Sequence, residues 1–316
     1  MRGGVVAVNK NLHICFWNIN GRKFLIKAEK IQNWLNKKFD IVFLSETHLL
    51  KGEKYKLGSF TEYHNSFSSH TDRKPRGGVS CFIKNTLMEY VDEVDLSCNG
   101  HIIVRMINGN IIFASYIAPV DSPYYDPADF SHVANAFVPV DNKCIVFGGG
   151  DMNGRVGNMP QLRPPLNSSY NLNDDNTVND HGKELMNICN SFESYVINNL
   201  SIGGKTFDGG YTFRKGNRQS QNDIILANRV ALSFIKNFEI HREGWNPSDH
   251  TPISAECQMT FTTNSVGLNV SKDILTERVN TAIKRARKIK SEDVDWCTYS
   301  TLLENNIPTY NQHVEN

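Results

Sequence analysis

Two carboxylates stand directly beyond short apolar runs. Glu46 follows Ile41-Val42-Phe43-Leu44-Ser45, and Asp151 follows Ile145-Val146-Phe147 and three glycines. Asn153 lies two residues past Asp151, on the same side if the chain stays extended. Asn18 comes after His13-Ile14-Cys15-Phe16-Trp17, and Tyr116 closes the run from Ile111. Asp223 opens Asp223 to Leu226, and Asp249-His250 precedes Ile253 to Cys257. Carboxylates, amides, a phenol and an imidazole can hold a hard divalent cation, move a proton and hydrogen-bond a phosphate. Taken singly, each has a plainer reading as turn chemistry, a cap or a satisfied structural residue. Gathered at the ends of different strands of one fold, they describe a site.

The elements that must position them can be read in order. Residues 1–11 read as a loose leader, and His13 to Trp17 as the first strand. Leu25 to Leu35 has helical spacing, and Ile41 to Leu44 reads as a buried strand. Residues 64–78 read as a polar, basic surface loop. Val79 to Ile83, Ile102 to Met106 and Ile111 to Tyr116 read as successive strands, the last two joined by an Asn108-Gly109-Asn110 turn. A helix over Ala128 to Phe137 leads to the strand at Ile145 to Phe147, which the glycines are expected to end. Residues 158–180 read as a long irregular loop and His181 to Phe192 as a helix. Tyr211-Thr212-Phe213 and Asp223 to Leu226 read as a hairpin with the cationic connector 214–221, followed by strands at Phe234 to Ile240 and Ile253 to Cys257. Such alternation predicts two packed sheets with helices outside. From Lys272 to Lys290 a narrow apolar stripe ends in a cluster of cations, which reads first as a solvated helix packing on the domain.

Bulk properties exclude several classes. The chain has 316 residues, 40% hydrophobic and 21% charged, which suits one large globular domain plus a tail. A net charge of +1 gives no global pull on polyanions, so any nucleic acid must be met by local basic patches. Seven cysteines, with no zinc-knuckle pair among them, point to a reducing compartment. No apolar run approaches the ~20 residues of a membrane helix, and the N-terminus lacks a signal-peptide core, which predicts an intracellular protein without a membrane partner.

In sequence order, Trp17-Asn18-Ile19-Asn20-Gly21, Leu44-Ser45-Glu46-Thr47-His48, Arg76-Gly77-Gly78-Val79, Gly150-Asp151-Met152-Asn153-Gly154-Arg155-Val156-Gly157, Ser220-Gln221-Asn222-Asp223-Ile224-Ile225-Leu226 and Ser248-Asp249-His250-Thr251-Pro252-Ile253-Ser254 resemble the motifs of the endonuclease/exonuclease/phosphatase superfamily. Within it the chain looks most like the endonuclease domains of non-LTR (LINE-type) retrotransposons, which are related to apurinic/apyrimidinic endonucleases. The resemblance spans roughly residues 12–258. It implies an α/β (α+β), DNase I-like fold: a four-layered sandwich of two packed, mostly antiparallel sheets flanked by helices. That domain would occupy residues 12–260, with 261–316 a linker, the basic amphipathic helix and a polar tail.

The resemblance also implies roles. Glu46 would bind Mg²⁺ (or Mn²⁺), and Asp249 would complete the acidic pocket. Asp151 would orient or deprotonate the attacking water, and Asn153 would help hold it and the phosphate. His250 would donate to a phosphate oxygen, with Asp223 fixing its tautomer, while Asn18 and Tyr116 hydrogen-bond the site. Arg214, Lys215 and Arg218 on the connector, and Arg73, Lys74 and Arg76 on the loop before Gly77, would contact DNA. The implied activity is phosphodiester hydrolysis, the nicking of target DNA in the nucleus, with a reverse transcriptase module as partner in a longer parent polyprotein. Met152 stands where the family usually has Phe, Gly149 and Gly150 would widen the approach, and Asn222 replaces an aliphatic residue. A lipid or inositol phosphatase of the same superfamily, and a decayed or co-opted module that binds DNA without cutting, remain open alternatives.

Overall fold

The computed structural model describes residues 5–22, 28–66, 76–138, 143–161, 164–165, 167–244, 246 and 248–264. Ala7–Thr263 is one compact unit, and it holds the sheets and helices below. Of the second unit, Met1–Val6 with Asn264–Asn316, only Val5, Val6 and Asn264 are among the described residues.

Two six-stranded sheets form the centre. One runs β16 (Ile235–Ile240), β17 (Ile253–Asn264), β1 (Val5–Asn18), β2 (Ile41–Ser45), β4 (Val79–Lys84), β3 (Phe60–Asn65). The other runs β10 (Ser194–Val196), β15 (Asp223–Asn228), β8 (Val146–Asp151), β7 (Ile111–Ser115), β6 (His101–Met106), β5 (Val91–Asp95). β1 pairs with β2 and β7 with β8 in parallel, while β15 pairs with β8 and β6 with β7 antiparallel. β2 and β7 are buried at every position, which is why they read as unbroken apolar runs rather than alternating ones.

The period of two splits these strands between layers. Ile14 and Phe16 face the core between the sheets with Phe43, Val104, Phe147 and Ile225, and the Phe16 and Phe43 rings stack at 5.2 Å. Cys15 and Trp17 face outward with Val42 and Leu44, onto Ile31 and Leu35 of α1 (Glu29–Lys38). On the opposite side Phe113, Val146 and Ile224 pack against Phe130 and Val133 of α2 (Asp129–Ala136) and Leu185 and Met186 of α3 (Asp180–Ser191). The result is helix, sheet, sheet, helix: the expected four layers.

Several elements differ from the sequence expectation. β1 starts at Val5, inside the expected leader, and β17 continues past Cys257 to Asn264. β3 and β5 alternate weakly and were not expected; nor was β9 (Ser168–Tyr170), which pairs with β11 (Leu200–Ile202) inside the stretch read as loop. The cationic connector is itself the hairpin: β13 (Phe213–Lys215) pairs with β14 (Arg218–Ser220), while Asp223 to Leu226 joins β8 in the second sheet. The expected helix at 272–290 lies outside the described residues. The described cysteines, Cys15, Cys81, Cys98, Cys144, Cys189 and Cys257, are all free. No helix among the described residues is long and apolar enough to cross a membrane.

The three glycines neither end the strand nor widen an approach. They run inside β8, where a Cβ on Gly148 would lie 2.1 Å from the Phe113 carbonyl oxygen. The equivalent distances are 2.3 Å to the Ile224 carbonyl at Gly149 and 2.3 Å to that of Ser115 at Gly150. These neighbours are sheet backbone and cannot yield as a side chain would. Gly148→Ala is therefore expected to cost at least the ~1–3 kcal/mol of an overpacked core. Urea unfolding should show a clearly lower midpoint, and an unchanged one would contradict this packing.

Candidate active site

The strand registers bring the polar residues together. In the parallel β1–β2 pair Asn18 lies opposite Ser45, so Glu46 emerges beside it. β8 and β15 set Asp151 opposite Asp223, and the Ile117 N–H donates to the Asp151 carbonyl at 3.0 Å. Tyr116 thus lies at the same edge. Asn18 joins the two sheets: its Nδ2 donates to Glu46 Oε1 at 3.0 Å and to Asp151 Oδ2 at 2.7 Å.

His250 arrives on the loop before β17 and is fixed from several sides. Its carbonyl accepts from Trp17 Nε1 at 3.2 Å and from Asn246 Nδ2 at 2.7 Å. Its N–H donates to Ser248 Oγ at 3.1 Å, and that hydroxyl donates to the Asn18 carbonyl at 2.8 Å. The ring packs at 4.9 Å against Phe213. Nδ1 lies 3.0 Å from Asp223 Oδ2, and Nε2 lies 3.7 Å from Asp151 Oδ2. The carboxylate on Nδ1 makes that nitrogen a donor, and Nε2, which faces Asp151, donates as well when the ring is charged. Asp223 is oriented in turn by Thr212, whose Oγ1 accepts from the N–H groups of Asn222 and Asp223 at 3.1 and 3.0 Å.

Burial and mutual charge then set protonation. Burial opposes a charge on His250, but Asp223 and Asp151 outweigh it and lift its pKa to about 10. Asp151 is pushed up to about 7, first by burial and then by the negative charges of Asp223 and Glu46, against the pull of His250. Burial would raise Glu46 too. Hydrogen bonds from His48 and Asn18 overcome it and hold this carboxylate below its usual value. Tyr116 is raised by burial and by its acidic neighbours, so its phenol keeps its proton and can donate. The site is an ionised acid (Glu46), an acid near neutrality (Asp151) and an imidazolium held by a third carboxylate. Such a set can take a proton from water and stabilise negative charge on a phosphate oxygen.

Two places suit a metal. The ligand atoms of Asp151, Asp223 and His250 lie within 4.8 Å of one another. The raised pKa of His250 favours a proton there, however, and a bound cation would repel the imidazolium. Glu46 fits a hard divalent ion better. It is ionised, offers oxygen, and lines a cleft of about 520 Å³ with Asn20, His48, Arg76, Tyr116 and Tyr124, roomy enough for retained waters. A second cleft, of about 500 Å³ by Asp174 and Asp208, contains none of the residues of this constellation.

Asn18, Glu46, Tyr116, Asp151, Asn153, Asp223 and His250 therefore meet. Asp249 stands slightly apart. Both its oxygens accept from Asn20 Nδ2, at 2.8 and 2.9 Å, and Lys215 Nζ is 3.8 Å away. Asn153 departs from the extended geometry expected of it. With φ +47° its N–H turns back to Asp151 Oδ1 at 3.1 Å, and its amide donates to the Ile117 carbonyl at 2.9 Å. Glu46 shares that left-handed backbone at φ +47°, uncommon for Glu and a form of strain that gathers at functional sites. Asn222 lies just before β15, and its carbonyl accepts from Met152 N at 3.2 Å. Arg76 lines the cleft, Arg214, Lys215 and Arg218 are exposed on the β13–β14 hairpin, and Arg73 and Lys74 lie outside the described residues.

Sequence reasoning missed Asn20, His48, Thr212 and Ser248. Asn20, His48 and Ser248 sat inside the quoted motifs and could have been found there. Thr212 gave no signal, because a threonine in a strand-like run reads as strand.

No protein-family model matches the chain, and no curated protein matches it in sequence. Solved structures do match in fold. An AP endonuclease from Leishmania major aligns with TM-score 0.59 at 12% identity, over 79% of this chain and 88% of its own. A 3′ phosphatase from Neisseria, bound to a product DNA hairpin, aligns with TM-score 0.53 at 16% identity over 78% and 99%. An AP endonuclease from Archaeoglobus fulgidus aligns with TM-score 0.51 at 17% identity over 77% and 98%. The DNase I-like fold is shared with these proteins.

Proposed function

We propose that this chain is a metal-dependent phosphodiester hydrolase that nicks DNA, the endonuclease of a LINE-type retroelement. The observation that carries the reading is the join made by Asn18, which holds the ionised Glu46 and the near-neutral Asp151 on one amide. Beside it His250 reaches from Asp223 towards Asp151. Nuclease and phosphatase chemistry in proteins of the same fold supports it.

Glu46, with Asp249 adding negative charge beyond Asn20, would hold Mg²⁺ or Mn²⁺, which when bound neutralises charge on the phosphate and on the leaving oxygen. Asp151 Oδ2 accepts a proton from water. The water oxygen bonds to phosphorus as the P–O3′ bond breaks, and the departing 3′ oxygen takes a proton from solvent water. The charge that builds on the non-bridging oxygens is met by His250 Nε2–H and the Tyr116 hydroxyl. Asn18 and Asn153 keep Asp151 aligned throughout. The products are a 3′ hydroxyl and a 5′ phosphate, and the hydroxyl would prime the reverse transcriptase module of the parent polyprotein, in the nucleus.

The decisive assay offers supercoiled plasmid and a phosphoinositide side by side with Mg²⁺. Open-circular product from plasmid alone supports the proposal, whereas phosphate release from the lipid alone would make this a phosphatase.

A pH profile checks the proton assignments. Asp151 must be deprotonated, so cleavage should rise as pH passes about 7. His250 must be protonated, so it should fall as pH passes about 10. A flat profile from pH 5 to 9 would reject Asp151 as the base.

The hairpin offers a separate test. Its tip is exposed, while its base touches the site through Phe213 on His250 and Lys215 near Asp249. Replacing residues 214–221 with a neutral Gly/Ser loop should shift the spectrum of nick positions and flatten the salt dependence by up to about three phosphate contacts. Cutting at a good site should persist. An unchanged nick map on a sequencing gel would make the loop a solvated hairpin only.

A further inference from the structure

Behind the site lies a second polar assembly that none of the roles above uses. Asp175, 2% exposed, receives the Arg155 guanidinium edge-on, Nε to Oδ2 at 2.8 Å and Nη2 to Oδ1 at 2.5 Å. The same carboxylate accepts the N–H of Gln221 at 2.9 Å and that of Thr177 at 3.2 Å. These bonds outweigh the upward push of burial and keep Asp175 ionised. Gln221 is held further, accepting from Asn173 Nδ2 at 2.8 Å and donating to the Gly210 carbonyl at 3.0 Å. Arg155 is held by backbone: its N–H donates to Asn179 Oδ1 at 2.8 Å, and Asn179 Nδ2 donates to the Asn153 carbonyl at 2.8 Å.

Each end of this assembly lies two residues from a member of the site: Arg155 from Asn153, Gln221 from Asp223. The two segments share no strand pairing past Asp151–Asp223, where the β8–β15 ladder ends. Beyond that point they are joined by the Met152 to Asn222 backbone bond, a 3.5 Å contact of the Asn222 and Asn153 amides, and the Asp175 carboxylate. Gly182 shows how closely the parts fit, since a Cβ there would lie 2.0 Å from the Arg155 carbonyl oxygen.

We infer that the Arg155–Asp175 pair is a clamp that sets the spacing between the Asn153 loop and Asp223, and so places Asp151 and His250 against the phosphate. Both are positioning residues, since neither touches the reacting atoms. A bidentate guanidinium suits the task because its planar fork fixes an angle as well as a distance. The inference rests on the hydrolytic reading of the site.

The test uses Arg155→Ala, Arg155→Lys and Asp175→Asn in the full chain. It reads single-turnover cleavage, KM, thermal midpoint and amide hydrogen exchange. Arg155→Ala should lower kcat on the order of 10²-fold, the scale of an ångström misplacement, with KM within about threefold. Arg155→Lys should recover part of that loss by restoring one bond, and Asp175→Asn should resemble Arg155→Ala. Exchange should quicken at residues 152–155 and 221–223 while the core strands stay protected. Wild-type kcat in Arg155→Ala, or loss of kcat only in step with the thermal midpoint, would overturn the clamp. Should wild-type protein fail to cut any phosphodiester, the hydrolytic reading falls, and exchange alone decides. Quickening confined to those two segments supports the clamp, and uniform or absent quickening overturns it.

Discussion

Asp151→Asn and His250→Ala should each lower the rate of DNA nicking by several orders of magnitude while DNA affinity stays within a few-fold. The two side chains face each other at 3.7 Å, and Asp223 holds His250 in that place, so they should fail as a unit. Asp151→Asn preserves the shape that Asn18 holds but removes the proton acceptor. His250→Ala removes the donor and leaves the Asp223 carboxylate buried without its cation, which can cost 3–5 kcal/mol of stability as well. His250→Gln is the safer companion, and it should be equally slow to cut. Binding should survive because phosphate contacts spread over the surface carry most of it. Single-turnover rates and filter binding on the same oligonucleotide make the separation. Near wild-type cutting by either Asp151→Asn or His250→Gln would overturn the assignment of base and donor.

Glu46→Gln should raise the Mg²⁺ concentration for half-maximal cleavage by at least tenfold, or abolish cleavage at any concentration. Glu46 is the acid that hydrogen bonds keep ionised despite its burial, and the amide offers a weaker, neutral ligand in the same volume. Activity of the variant against Mg²⁺ and Mn²⁺ is the measurement. An unchanged metal titration would move the ion to the Asp151, Asp223 and His250 cluster, whose ligand atoms are close enough to hold one.

Much of this was legible in the sequence because the site sits where continuous apolar strands end. Ile41 to Leu44 before Glu46, and Val146 and Phe147 before Asp151, are buried on both faces and so leave a strong signal. The edge strands β3 and β5 are half-buried and carry little of it. The glycines of β8 were misread because glycine in a sequence speaks of turns, whereas here close-lying carbonyls exclude any Cβ. The hairpin was misplaced for a similar reason: Arg214 to Gln219 is polar and exposed, and only its backbone ladder makes it a strand pair. Asn153 could not be placed from spacing, since its left-handed φ breaks the period on which the reading depended. Thr212 and the Arg155–Asp175 pair act through bonds to residues ten or more positions away, and no local pattern announces those partners.

Everything proposed for this chain depends on DNA hydrolysis at one metal-dependent centre built from Glu46, Asp151, Asp223 and His250. That hydrolysis is tested most directly by incubating supercoiled plasmid with wild-type protein and with Asp151→Asn, each in Mg²⁺ and in EDTA, and measuring open-circular DNA over time. Open circles, ending in a 3′ hydroxyl and a 5′ phosphate, are expected only for wild-type protein in Mg²⁺. Equal nicking in EDTA, equal nicking by Asp151→Asn, or an intact plasmid in every tube would contradict that expectation.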